Sequence, residues 1–237
     1  MNTREALFDF APGATPPTTL APALLGAPFT DIRATAEACL SAGADVLHLD
    51  VMDGHFVPEI TFGAKLIAEL RDRLPQTAIL DVHLLCIEAD RQIERFIEAG
   101  ADVLSFPLET SRNPFRSLEK IRAQGRRAGV ALLPATPLSA IEEMLPLLDL
   151  VIVMTVHPGE SRLLEPMLGK LARLREMVAR SRRAVRICAD GGVKRETAGT
   201  IAGHGADWLV AASAVFADGD VAGNIAALRA RAAEARP

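Results

Sequence analysis

Several things are scarce in these 237 residues. The longest apolar run, about residues 150–156, is far short of the ~20 residues that a membrane-spanning helix needs, so a membrane partner is not expected. Residues 1–7, Met-Asn-Thr-Arg-Glu-Ala-Leu, lack the apolar centre of a secretory leader. Cysteine is confined to Cys39, Cys86 and Cys188, and their spacing suits neither a metal site nor a redox pair. A cytoplasmic protein with reduced thiols is expected, with Cys39 and Cys188 packing as small hydrophobes. No basic cluster stands out and the net charge is −4, which argues against nucleic acid as a partner.

What is present is a rhythm. The chain is 49% hydrophobic and 24% charged, enough for a well-filled core. Residues 1–19 end in Pro-Gly-Ala-Thr-Pro-Pro-Thr-Thr and read as an N-terminal arm of poor order. From residue 20 to 237 short apolar runs alternate with amphipathic stretches. The runs fall at 20–25, 46–52, 78–85, 103–108, 129–133, 150–156, 185–189 and 208–215. Between them, Ile32, Ala36, Cys39 and Leu40 share one helical face. So do Ile93, Phe96 and Ile97, and so do Leu164, Leu168, Leu171 and Leu174. Ala-Gly-Ala-Asp at 42–45 and 99–102, and Gly-Ala-Asp at 205–207, each close a helix and lead into a strand, with glycine as the left-handed cap. Eight such units in about 215 residues predict a single-domain α/β fold, a (β/α)8 TIM barrel with parallel strands. No Gly-x-Gly-x-x-Gly follows the first strand, which weakens the dinucleotide-binding alternative.

In such a barrel the chemistry sits at the C-terminal ends of the strands. The second strand carries His48, Asp50 and Met52 on one face, followed by Asp53; the third carries Asp81 and His83. The sixth ends in Thr155 before His157, Pro158 and Gly159, and the seventh ends in Asp190. The second, third and seventh strands can aim side chains at one axial point. His48, Asp50, His83 and Asp190 would then hold a divalent ion of the zinc, iron, manganese or cobalt kind, with Asp50 moving a proton. Taken singly, each has a plainer reading: a hydrogen-bonded core histidine for His48, a strand cap for His83, and turn formers for Asp50 and Asp190.

These residues carry a resemblance. His-Leu-Asp-Val-Met-Asp-Gly-His-Phe-Val-Pro at 48–58, Asp-Val-His-Leu at 81–84, Pro-Ala-Thr-Pro at 134–137, Met-Thr-Val-x-Pro-Gly at 154–159 and Asp-Gly-Gly-Val at 190–193 resemble ribulose-phosphate 3-epimerases. The likeness runs in order from about residue 20 to 217, and the eleven-residue motif is its most specific part. It implies a (β/α)8 isomerase of carbohydrate metabolism, a pentose-phosphate epimerase with a divalent metal, acting on a small sugar phosphate and often assembled as a homo-oligomer. Carried over by position, the metal ligands are His48, Asp50, His83 and Asp190, and Asp50 and Asp190 are the two acid/base groups. One carboxylate takes a proton from C3 of a ketose and the other returns one to the opposite face, through an enediolate. Met52 and Met154 match methionines that surround the reacting carbon, while Leu85 stands where a third is usual; plain core packing is the alternative. Phosphate binding is implied for main-chain N–H groups of the seventh and eighth loops, at Gly191, Gly192, Ala212 and Ser213.

The departures cluster on substrate contacts. Pro22-Ala23-Leu24-Leu25-Gly26 replaces Pro-Ser-Ile-Leu-Ser, removing serine hydroxyls, and Pro107 replaces a histidine. His157-Pro158-Gly159-Glu160-Ser161-Arg162 replaces the glycine-rich loop that covers substrate. Arg162 offers a compensating charge, and His157 offers either an extra polar contact or an ordinary loop residue. Ala212 replaces a glycine and adds a methyl group to the phosphate pocket. D-ribulose 5-phosphate is the default substrate; another ketose phosphate, such as a hexulose 6-phosphate, is the alternative. A barrel that binds a sugar phosphate without turnover is the third reading, opposed by retention of all four ligands.

Overall fold

Runs rich in Leu, Val and Ile make strands that must be covered on both sides. A computed structural model, which describes residues 3–235, turns eight of them into one parallel sheet. The strands are β1 (Thr19–Pro22), β2 (Leu47–Met52), β3 (Leu80–Leu85), β4 (Val103–Pro107), β5 (Arg127–Leu132), β6 (Leu150–Met154), β7 (Arg186–Asp190) and β8 (Trp208–Ala211). Their order is β1-β8-β7-β6-β5-β4-β3-β2. Ala23 bridges to His48, and Asp45 N–H donates to the Leu20 carbonyl at 3.1 Å, which draws the two edge strands together. The result is the expected single-domain (β/α)8 barrel.

The helices are α1 (Thr3–Ala6), α2 (Ile32–Ser41), α3 (Ala64–Arg73), α4 (Ile93–Glu98), α5 (Pro114–Ala123), α6 (Pro166–Ser181), α7 (Ala198–Gly203), α8 (Ser213–Phe216) and α9 (Val221–Glu234). Ile32, Ala36 and Cys39 are buried on α2, and Ile93, Phe96 and Ile97 on α4, as their spacing predicts. On α6 the buried apolar stripe is Met167, Leu171, Leu174 and Val178; Leu164 precedes the helix, which starts at Pro166, and Leu168 on it is half-buried. The connection from β5 to β6 is not α-helical. It is a 3-10 helix over Leu138–Leu147, which contains Pro146, a residue with no N–H for an α-helical bond. Two predicted strands run too long: β1 gives way to a 3-10 turn at Leu24, and β8 to α8 at Ser213. No helix of the described residues is long and apolar enough to cross a membrane.

The repeated Gly-Ala-Asp does more than end helices. Gly43, Gly100 and Gly205 sit at φ of 88°, 99° and 104°, so the left-handed cap is real. The aspartate that follows accepts from a main-chain N–H at the start of the preceding strand, its first or second residue: Asp45 from Leu20 at 2.8 Å, Asp102 from Leu80 at 2.9 Å, and Asp207 from Ile187 at 3.3 Å. Asp149 does the same to Ala128 at 2.9 Å. Arginines from the helices answer these charges, Arg71 at Asp102 and Arg175 at Asp207 among them. The N-terminal end of the barrel is thus tied by charge-assisted hydrogen bonds. Beneath it Phe8 is buried, 5.9 Å from the Trp208 ring. Arg186, itself buried, donates to the carbonyls of Leu7 (2.7 Å) and Pro17 (2.9 Å). The opposite end is left for chemistry.

Candidate metal centre

Side chains that alternate on a strand arrive in the barrel interior in layers. Ala21, Val46, Ile79, Val103, Leu150, Cys188 and Trp208 fill the lower interior. One or two pleats further along, the same faces present His48 and Asp50 from β2, Asp81 and His83 from β3, and Asp190 from the end of β7. The register pairs His48 with Asp81 and Asp50 with His83. All five side chains are buried.

One donor atom each from His48, Asp50, His83 and Asp190 lies within 4.8 Å of every other. His48 Nε2 is 3.1 Å from Asp50 Oδ1 and 3.9 Å from Asp190 Oδ2. His83 Nδ1 is 3.5 Å from Asp50 Oδ1 and 3.2 Å from Asp190 Oδ2. A tetrahedron of N and O donors about 2.0–2.2 Å from an ion has edges of roughly 3.3–3.6 Å, so these four separations bracket the required spacing. His83 Nδ1 is buried beside two carboxylates yet makes no hydrogen bond of acceptable geometry among the described residues, an orphaned ligand atom of the kind a cation would satisfy. The donor set, two imidazoles and two carboxylates, suits a zinc-, iron-, manganese- or cobalt-type ion.

Electrostatics point the same way. Burial alone pushes the His48 imidazole down, but the Asp50 and Asp81 carboxylates beside it hold it well above its ordinary value. Burial likewise opposes protonation of His83, and Asp190 and Asp50 prevail to raise it. Burial pushes the Asp50 carboxyl up, while His48 and then His83 hold it below the usual carboxylate range.

The strand ends are held in place by hydroxyls. Thr61 Oγ1 donates to the Asp50 carbonyl at 2.6 Å and accepts from Met52 N–H at 2.9 Å. Thr155 Oγ1 reaches the carbonyls of Asp190 (2.9 Å) and Gly191 (2.6 Å). Gly191 and Gly192 are both left-handed, at φ of 103° and 64°. A Cβ on Gly191 would lie 2.3 Å from Val156 Cγ2, so only glycine passes the wall of the sixth loop there.

Above the centre opens a cavity of about 790 Å3. Its lining includes Asp50 and Asp190, the apolar trio Met52, Leu85 and Met154, and, towards the mouth, Gly159, Gly191, Gly192, Ala212 and Ser213. His48 and His83 lie buried beneath it. His157 is exposed and is not among the lining residues; its carbonyl accepts from Glu160 N–H at 2.9 Å. Arg162 does line the cavity, as do Glu160 and two residues that sequence reasoning passed over, Glu59 and Lys194. Each of those two directly follows a motif residue, Pro58 or Val193, which was the available signal. Asp53 belongs to the loop: its carboxylate accepts from the N–H groups of His55, Phe56 and Ile87.

Two of the sequence departures meet in space. A Cβ on Gly26 would lie 3.2 Å from Ala212 Cβ and 3.1 Å from the Ala212 carbonyl carbon. The methyl group that Ala212 adds on one wall occupies space that Gly26 leaves on the other.

A model of the ribulose-phosphate 3 epimerase family matches residues 19–216. The ribulose-phosphate 3-epimerase of Rhodobacter capsulatus is 42% identical over 220 residues, covering 90% of this chain and 95% of that relative. The ribulose-phosphate 3-epimerase of Bacillus subtilis (strain 168) is 40% identical over 205 residues, with 85% and 93% covered. Among solved structures, 3-keto-L-gulonate-6-phosphate decarboxylase from Vibrio cholerae superposes with a TM-score of 0.70 at 16% identity, covering 93% of this chain and 99% of that one, a likeness of fold.

Proposed function

This chain belongs to the ribulose-phosphate 3 epimerase family and is an isomerase, and from that premise we propose that it inverts C3 of a ketose phosphate, D-ribulose 5-phosphate to D-xylulose 5-phosphate. The observation that carries the reading is the pair Asp50 and Asp190. They come from non-adjacent strands and share one centre, and both reach the same cavity.

Asp50 takes the C3 proton from one face of the sugar. The electron pair moves into an enediolate, and Asp190 delivers a proton to the other face; the reverse reaction exchanges the roles. His48, Asp50, His83 and Asp190 would hold the metal ion, which when bound supplies positive charge next to the oxygens that become negative. Met52, Leu85 and Met154 form the apolar wall that keeps water from the carbanionic carbon. At the mouth, the N–H groups of Gly192 and Val193 make no hydrogen bond among the described residues, and they face the requirement of a phosphate group for donors. Ser213 and Ala212 complete that end, and the loop bearing Gly159 covers the sugar.

A second reading is favoured by one observation: the loop over the cavity carries Glu160, Ser161 and Arg162 in its lining, side chains that reach a longer or differently substituted sugar. A hexulose 6-phosphate is the substrate on that reading. The test is incubation of metal-loaded protein with a panel of ketose phosphates in deuterated water. Deuterium at C3 of D-ribulose 5-phosphate, with D-xylulose 5-phosphate formed, supports the proposal. Exchange with a hexulose phosphate alone supports the second reading. Exchange with none, despite bound metal, leaves a sugar-phosphate-binding barrel without turnover and refutes both.

A further inference from the structure

The residue beside His48 on the far side from the cavity is not accounted for by the ligand set. Asp81 Oδ2 lies 2.8 Å from His48 Nδ1, and both side chains are wholly excluded from solvent. We propose that Asp81 is the positioning residue of this centre, fixing the His48 tautomer so that Nε2 faces the ion; this rests on the reading of the four-residue group as a metal centre.

A neutral imidazole has one N–H, and a carboxylate can only accept. Nδ1 faces Asp81, while Nε2 faces Asp50 at 3.1 Å and Asp190 at 3.9 Å. With the proton kept on Nδ1 by Asp81, the lone pair of Nε2 points into the centre. The carboxylate also makes the ring a stronger donor to a metal. Packing does not explain an aspartate here. Its second oxygen, Oδ1, is buried with no partner among the described residues, an arrangement that costs stability and that an apolar side chain would avoid. The strand register makes the placement a direct consequence of sequence: Asp81 lies opposite His48, and His83, two residues on, lies opposite Asp50. His83 has no matching support, since its Nε2 has no partner among the described residues. The two imidazoles are therefore held by different means, and only His48 depends on Asp81.

The test compares wild type with Asp81→Asn, which keeps the shape and loses the charge, by titrating zinc, and separately cobalt, against a chromophoric chelator. A 10–100-fold weaker metal affinity in Asp81→Asn is expected, with the metal-free variant unfolding as cooperatively as wild type. Nitrogen-15 NMR of the zinc-loaded wild type should show His48 protonated at Nδ1 and unprotonated at Nε2, a readout independent of any variant and of turnover. Affinity within twofold of wild type would overturn the positioning role while leaving the metal centre standing. A His48 protonated at Nε2 in the zinc-loaded protein would overturn both the positioning role and His48 as a ligand. A wild type that binds neither ion would overturn the metal reading and this role with it.

Discussion

Replacing Gly26 by alanine tests whether two walls of the cavity are matched to each other. The added Cβ would meet Phe216 Cδ2 at 3.0 Å, the Ala212 carbonyl carbon at 3.1 Å and Ala212 Cβ at 3.2 Å. Carbon atoms pack best at about 3.5–4.0 Å, so all three neighbours must give way. Overpacking of this kind costs about 1–3 kcal/mol. Ala212→Gly alone removes one methyl group and loosens the chain, at about 0.5–1 kcal/mol. In the double variant the closest methyl contact is gone while Phe216 and the carbonyl carbon remain. The two substitutions should therefore fall short of additivity by about 1 kcal/mol. Urea unfolding of wild type, both single variants and the double variant reads this, with an unchanged denaturant slope as the sign that stability alone has moved. In thermal unfolding, about 1 kcal/mol corresponds to roughly 2–4 °C in a domain of this size. Strict additivity would refute the argument that the glycine near β1 and the alanine after β8 offset each other.

Asp190→Asn should leave the fold intact and lower C3 exchange by at least about 10²-fold, as removal of one acid/base group does; retained exchange would take Asp190 out of the mechanism. Phe8→Ala removes a buried ring packed on Trp208 and should cost about 3 kcal/mol in unfolding free energy, with kcat unchanged because the cavity lies at the other end of the barrel. Metal affinity should fall as pH falls: His48 and His83 have raised pKa values in the metal-free protein, so protons compete with the ion until the pH exceeds those values. Calorimetry in buffers of different ionisation enthalpy should register proton release on metal binding, and a pH-independent affinity would contradict the ligand assignment.

The cluster of His48, Asp50, His83 and Asp190 was legible because period-two alternation and the strand-end rule of barrels need only local sequence. His48, Asp50 and His83 follow from strand phase, and Asp190 from the end of an apolar run. The Gly-Ala-Asp recurrence was legible as a cap through its glycine. Its aspartate was not, because Asp45, Asp102 and Asp207 bond to strands that precede them by 20 residues or more. Distance in sequence also hid the contact of Gly26 with Ala212, and the grip of Arg186 on the carbonyls of Leu7 and Pro17. The 3-10 connection before β6 was hidden differently: Ile141, Met144 and Leu145 keep helical spacing, and Pro146 changes the hydrogen bonding without disturbing the apolar stripe. Asp81 was visible as a neighbour of His83, but only the pairing of β2 with β3 puts it against His48.

That His48, Asp50, His83 and Asp190 share one cation is tested most directly by anomalous diffraction from crystals of the zinc-loaded protein. A single anomalous peak about 2.0–2.2 Å from His48 Nε2, Asp50 Oδ1, His83 Nδ1 and Asp190 Oδ2 is the predicted result. A peak elsewhere, a peak that leaves either carboxylate uncoordinated, or no peak at saturating zinc would contradict it.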